Sequence, residues 1–140
     1  MALRITREVE AAILRHGMAA YPHECCGALL ARDGGVAEAF ALPNTTGEGP
    51  RRRFLVGPAD YRAAEARARA IGGELAGFYH SHPDHPALPS EYDRAHAWPN
   101  LSYVIVSVID GGADALTSWR LRDDRTGFDP EDVETKTEGL

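Results

Sequence analysis

The order of elements legible in the sequence is that of an α/β layered domain, a mixed sheet flanked by helices. Three observations point to it. An apolar stripe of helical period follows Thr6, an Ala- and Arg-rich helical stretch follows Gly57-Pro58, and strand-like runs paired by Gly-containing turns surround them at residues 24–42 and 103–121.

The elements follow in chain order. Thr6 can cap a first helix over 7–20, in which Val9, Ala12, Ile13 and His16 recur at helical spacing. His16 lies on that stripe and reads as a core-edge histidine. After Pro22, residues 24–31 and 36–42 read as two strands joined by Asp33-Gly34-Gly35, a hairpin turn. Pro43 to Pro50 is a polar loop, and Arg51-Arg52-Arg53-Phe54-Leu55-Val56 leads into another strand. Pro58 near the first helical position and Gly72-Gly73 as a stop bound a scaffold helix to about Ile71. Leu75-Ala76-Gly77-Phe78-Tyr79 is short, apolar and aromatic, as a buried strand is. Ser90 begins a short helix that Pro99-Asn100 breaks. Tyr103 to Ile109 is the strongest strand signal and reads as central in the sheet; Asp110-Gly111-Gly112 turns it into an alternating strand over Leu116–Leu121. Residues 1–122 form one domain on this reading. The tail 123–140 is acidic and lacks periodicity, the composition of a disordered segment.

Composition narrows the function. A chain of 140 residues buries roughly 68 to 70% of its unfolded surface and needs no staples for its core. Fifteen basic against 21 acidic residues leave a net charge of −6, which argues against nucleic acid and anionic membrane as partners. No apolar run approaches the roughly 20 residues needed to span a bilayer, and the N-terminus lacks an apolar signal region, so a cytoplasmic location is expected. Nothing restricts the chain to a monomer, and a homo-oligomer is compatible with it. Cys25 and Cys26 are adjacent, point to opposite faces of a strand, and read as reduced core thiols. The one basic run, Arg51 to Arg53, is either a solvated loop or a surface for a carboxylate or an acidic partner, since arginine grips carboxylates with a bidentate fork.

The chemistry concentrates between His80 and Asp93. Side chains two apart in an extended chain share a face, with α-carbons about 6.6 Å apart, so the His80 and His82 imidazoles at the strand's exit project together. That suits two nitrogens about 2 Å from one ion. Pro83, Pro86 and Pro89 stiffen the return, and Ser90 and Asp93 stand one turn apart on the following helix, so Asp93 can reach the same ion. Taken alone, Ser90-x-x-Asp93 is also close to a capping box. His85 and His96 are the competing ligands. Two imidazoles and one carboxylate leave a zinc site with an open fourth position for water. A glutamate beside it would serve as general base, and spacing alone does not choose among Glu24, Glu74 and Glu91.

His-Ser-His-Pro, six residues, Ser, two residues, Asp resembles the signature of the JAMM, or MPN-plus, zinc metalloproteases, with His80, Ser81, His82, Pro83, Ser90 and Asp93 in every position. Pro22-His23-Glu24-Cys25-Cys26-Gly27-Ala28-Leu29 resembles the Pro-x-Glu-x-Cys-Gly-x-Leu form of the small bacterial members. The resemblance covers about the first 120 residues. It implies the MPN, cytidine-deaminase-like α/β/α fold, one Zn2+ per chain held by His80, His82 and Asp93, Glu24 as the catalytic base, and Ser90 as a stabiliser of the developing oxyanion. It further implies a hydrolase that cuts after the C-terminal glycines of a ubiquitin-like sulfur-carrier protein. Deubiquitination, a non-catalytic MPN scaffold and hydrolysis of a small amide are the alternatives. The zinc deaminases share the fold but need His-x-Glu and Pro-Cys-x-x-Cys, which this chain lacks.

Overall fold

In the computed structural model, residues 2–43 and 56–136 are described. Their order is β1 (Ala2–Thr6), α1 (Arg7–Ala20), β2 (Cys26–Arg32), β3 (Gly35–Leu42), α2 (Pro58–Ala70), β4 (Glu74–Pro83), α3 (Glu91–His96), β5 (Ser102–Ile109), β6 (Gly112–Leu121) and β7 (Phe128–Lys136). Thr6 caps α1 as its sequence position suggests, its hydroxyl accepting from the Val9 amide at 3.1 Å. Val9, Ile13 and Gly17 form the buried stripe.

One mixed sheet runs β1-β3-β2-β4-β5-β6-β7 and closes on itself. The closure comes from β1, which lies parallel to β7 from Ala2↔Asp132 to Thr6↔Lys136 and touches β3 in parallel at Ile5↔Val36. Strand β5 sits between β4, parallel, and β6, antiparallel, as expected of the most apolar run. Helix α1 contacts β1, β3, β4, β5, β6 and β7, so the curled sheet wraps around it, whereas α2 packs on β2 and β4 from the other face. The alternation of β2 and β4 divides the core between these faces. Leu29, Tyr79, Val104 and Val106 join Val9 and Ile13 of α1, while Ala28, Leu30, Phe78 and Tyr103 join Ala64 and Ala68 of α2. Gly77 permits the close start of β5: a Cβ there would lie 1.8 Å from the Ser102 carbonyl oxygen.

Two expectations need correction. The segment after Asp123 is not a disordered tail through its described part: Phe128–Lys136 is a strand, antiparallel to β6 and parallel to β1. Its acidic side chains hid it, because a strand with exposed charged positions carries no apolar run, and its energy comes from backbone pairing with two neighbours. The ladder also makes residues up to 136 part of the sheet, so the domain does not stop at 122. Strand β1 was not foreseen either, since five residues abutting a helix N-cap give little periodicity. The strand expected over Arg51–Val56 lies outside the described residues except for Val56, which is buried just before α2.

Candidate metal centre

Strand β4 is longer than its apolar portion. It continues through Pro83, pairing His80 with Ile105 and His82 with Ser107 of β5, so the two histidines lie within the strand and not beyond its exit. The alternation still holds, and both imidazoles leave the face that carries Phe78, opposite Tyr79 and Ser81.

Asp93 arrives from α3. Ser90 is its N-cap: the Ser90 hydroxyl accepts from the Asp93 amide at 3.0 Å, and the Asp93 Oδ2 accepts from the Ser90 amide at 2.8 Å. The capping-box reading and the ligand reading are therefore both realised by the same residues. Asp93 Oδ2 lies 3.3 Å from His80 Nε2 and 3.3 Å from His82 Nε2, and the two nitrogens are 3.1 Å apart. Atoms about 2.0–2.1 Å from one zinc at tetrahedral angles stand roughly 3.3–3.4 Å apart, so the triangle fits a single ion. Among the described residues these three form a group able to hold a metal. All three are buried, at 1%, 8% and 8% exposure.

The surroundings set their charges. Burial pushes His80 below the ordinary imidazole range, more than the Asp93 charge pulls it back. At His82 burial opposes the charged form but is outweighed by hydrogen bonds to Asp93 and the Pro86 carbonyl and by the charges of Asp93 and Glu24, so its pKa is raised. Burial alone would raise Asp93, yet the histidines and the Ser90 amide hold its carboxyl well below the carboxylate range. A carboxylate between imidazoles, in a buried pocket, is the donor set zinc prefers. His82 is also oriented from behind, its Nδ1 lying 2.9 Å from the Pro86 oxygen, which leaves Nε2 for the ion.

The remaining sequence candidates fall as follows. Glu24 is buried, at 7% exposure, in the turn just before β2, and its charge acts on His82. Glu74 starts β4 beside Ala31, at the other end of β4 from the histidines, and Glu91 is exposed and paired with Arg94. Ser90 lies at the rim, and because its oxygen accepts the capping bond its own hydrogen remains available to donate. His85 is exposed outside the group, and exposed His96 stacks on Tyr92 with centroids 4.0 Å apart. Both are non-ligands in this arrangement. His96 does line the apolar cleft beside His80 and Asp93, together with Phe78, Trp98 and Tyr103. Arg51, Arg52 and Arg53 lie outside the described residues. Cys25 and Cys26 are buried free thiols outside the metal group. His16 is confirmed as a core-edge residue, its Nδ1 2.7 Å from the Tyr79 hydroxyl.

Sequence reasoning missed the role of Ser81. It is fully buried on the α1 side of β4, and its hydroxyl accepts from the Cys25 amide at 2.9 Å while its amide donates to the Cys25 carbonyl at 3.1 Å. The signal was present in its place between two ligands, but only the fold shows that it faces away from them and onto the neighbour of Glu24.

A sheet curled around its first helix, with a His-His-Asp group where β4 meets a short capped helix, defines a JAB/MPN-type domain. Comparison with known proteins agrees. The family of prokaryotic homologues of the JAB domain matches over residues 6–122, and the chain belongs to it, within the larger JAMM/MPN group. It is 40% identical over 84 residues to the tail tip assembly protein K of Escherichia phage N15 and 34% identical over 89 residues to a desampylase of Haloferax volcanii. These matches cover 60% and 61% of this chain but only 32% and 63% of those two proteins, so the chain spans less than two thirds of either. A solution structure of a protein from Desulfitobacterium hafniense is similar at TM-score 0.83 and 32% identity, covering 99% of this chain and 94% of that one. A JAB1/MPN domain protein from Archaeoglobus fulgidus, 21% identical with TM-score 0.65 and 96% and 97% coverage, shares the fold.

Proposed function

We propose that the chain is a zinc-dependent peptidase that hydrolyses the bond after the C-terminal Gly-Gly of a ubiquitin-like sulfur-carrier protein. The observation that carries the reading is the convergence of His80 Nε2, His82 Nε2 and Asp93 Oδ2 to within 3.3 Å, with buried Glu24 close enough to act on His82. The likeness to a desampylase supports a ubiquitin-like protein as substrate. Relatives that only hold partners usually lose a ligand, and here the full set stands in one place, which favours catalysis over a scaffold role.

His80, His82 and Asp93 would hold the zinc. When bound, the ion supplies an electrophile for the carbonyl and a water whose pKa is lowered to about 7. Glu24 takes the proton that the attacking water sheds and hands it to the departing amine as the C–N bond breaks. The Ser90 hydroxyl, free to donate, hydrogen-bonds the carbonyl oxygen as charge develops there. A flexible glycine tail reaches a buried centre because glycine lets backbone approach closely. The Arg51–Arg53 run would meet acidic groups on the carrier or a carboxylate beyond the scissile bond; Val56, just after it in the chain, lines the cleft beside His80 and Asp93.

The test presents the purified protein with a carrier ending in Gly-Gly plus one extra residue and with a ubiquitin dimer, and follows the masses. Release of the extra residue supports the reading. Cleavage of the dimer alone would make the protein a deubiquitinase-like isopeptidase instead.

A further inference from the structure

We propose that Arg125, in the turn between β6 and β7, is a positioning residue for the metal ligand Asp93 and acts through the C-terminal end of α3. The inference rests on the metal reading given above.

Helix α3 has only six residues and does not pack broadly against any other helix or strand among the described residues, although it delivers one of the three ligands. Its start is fixed by the Ser90–Asp93 capping box. Its other end, like that of any helix, leaves carbonyls without partners inside the helix. Arg125 supplies them. Its Nη1 donates to the Ala97 carbonyl at 3.0 Å and its Nη2 reaches the Ala95 carbonyl at 3.5 Å, while Arg94, next to the ligand, returns a bond from its Nη1 to the Arg125 carbonyl at 2.9 Å. The guanidinium thus stands where a cation complements a helix C-terminus, and the two arginines lock the turn to the helix from both sides.

The turn is built to hold this geometry. Arg125 has φ of +63°, a left-handed conformation that a non-glycine residue adopts only when its surroundings enforce it. They do so here: the Arg125 amide donates to the Arg122 carbonyl at 2.9 Å, the Arg122 amide to the Gly127 carbonyl at 2.9 Å, and the Asp124 carboxylate accepts from the Thr126 amide at 3.0 Å and hydroxyl at 2.7 Å. Strand β7 anchors the far side of the turn to the sheet. The position of Asp93 relative to the β4 histidines is therefore referred to the sheet twice, once through the proline loop and once through Arg125.

The test is zinc affinity of the full chain, measured by competition with a chromophoric chelator, beside the melting temperature of the metal-free protein. Arg125→Gly is the informative variant, because glycine keeps the left-handed turn and loses only the guanidinium; Arg125→Ala is its companion. Arg122→Ala removes a charge from the same turn, one that pairs with Asp129 at 2.9 Å and does not reach α3, and serves as the control. Loss of groups that orient a ligand costs typically 10–100-fold in metal affinity, and both Arg125 variants are expected to show it while Arg122→Ala binds as wild type. Wild-type affinity in Arg125→Gly, an equal loss in Arg122→Ala, or a lowered metal-free melting temperature without loss of affinity would each overturn the inference. A wild-type chain that binds no zinc would instead remove the metal reading on which it stands.

Discussion

Ser81 and Cys25 hold each other by two hydrogen bonds, the Ser81 hydroxyl accepting from the Cys25 amide at 2.9 Å and the Ser81 amide donating to the Cys25 carbonyl at 3.1 Å. Residue 81 lies between His80 and His82 and residue 25 follows Glu24, so this pair couples the position of the proposed general base to that of the candidate metal group. A second tie joins the same two stretches, from the Tyr21 hydroxyl to the Asp84 carboxylate at 2.7 Å. Ser81→Ala leaves a buried amide without its side-chain acceptor, which costs about 1–3 kcal/mol. Denaturant unfolding should show that loss, and kcat should fall while zinc content stays stoichiometric. Unchanged kcat in a folded, zinc-loaded variant would separate the clamp from the function.

Replacing His82 by Ala removes one of the three proposed zinc ligands and should abolish stoichiometric zinc on metal analysis. Retention of the full metal content would mean that His85 or His96 takes its place, contrary to their exposed positions.

Glu24→Gln keeps the shape of the side chain and removes its basic oxygen. Turnover should drop by at least the 10²- to 10⁴-fold that general acid–base catalysis typically contributes, with zinc still bound and the melting curve intact. A near-normal rate would assign the proton transfer to another group.

The thiols should be inert. Burial pushes Cys25 up to about 11 and Cys26 up to about 12, the latter aided by the neighbouring charges of Cys25, Asp60 and Glu24. Since the thiolate is the reactive form, iodoacetamide at pH 8 should label the denatured chain and spare the native one. The sign for stability follows: these acids have folded pKa values above the unfolded value, so their contribution is full below pH 9.0 and is lost as the pH climbs toward 11 to 12. Rapid native labelling at pH 8 would contradict the buried placement.

Truncation before Asp123 should damage the fold itself. It deletes β7, exposes the edges of β1 and β6, and removes the Arg125 tie to α3. A much lower melting temperature and association in solution are expected on calorimetry and gel filtration; a truncated chain as stable as the whole would make β7 dispensable.

Much of this molecule could be read from its residues because the determining signals are local. The cap at Thr6, the stripe Val9–Ile13 and the run Tyr103–Ile109 are decided by neighbours within a turn or a pleat, and the structure reproduces each. The grouping of His80, His82 and Asp93 was legible for a similar reason: alternation along a strand puts His80 and His82 on one face whatever the strand packs against, and one helical turn relates Ser90 to Asp93. The alternation survived even though β4 runs past the histidines, because the parallel ladder to β5 extends pairing into polar residues that carry no apolar signal.

What sequence alone determined, then, is the set of elements with strong periodicity and the grouping of His80, His82 and Asp93. Only the tertiary structure decided that β1 and the acidic β7 pair to close the sheet, that Ser81 turns its back on the metal group to hold the segment of Glu24, and that Arg125 reaches the end of α3. The physical reason is common to all three. Backbone pairing and single hydrogen bonds between residues far apart in the chain leave no periodic trace in composition, since they depend on where distant segments meet and not on how apolar those segments are.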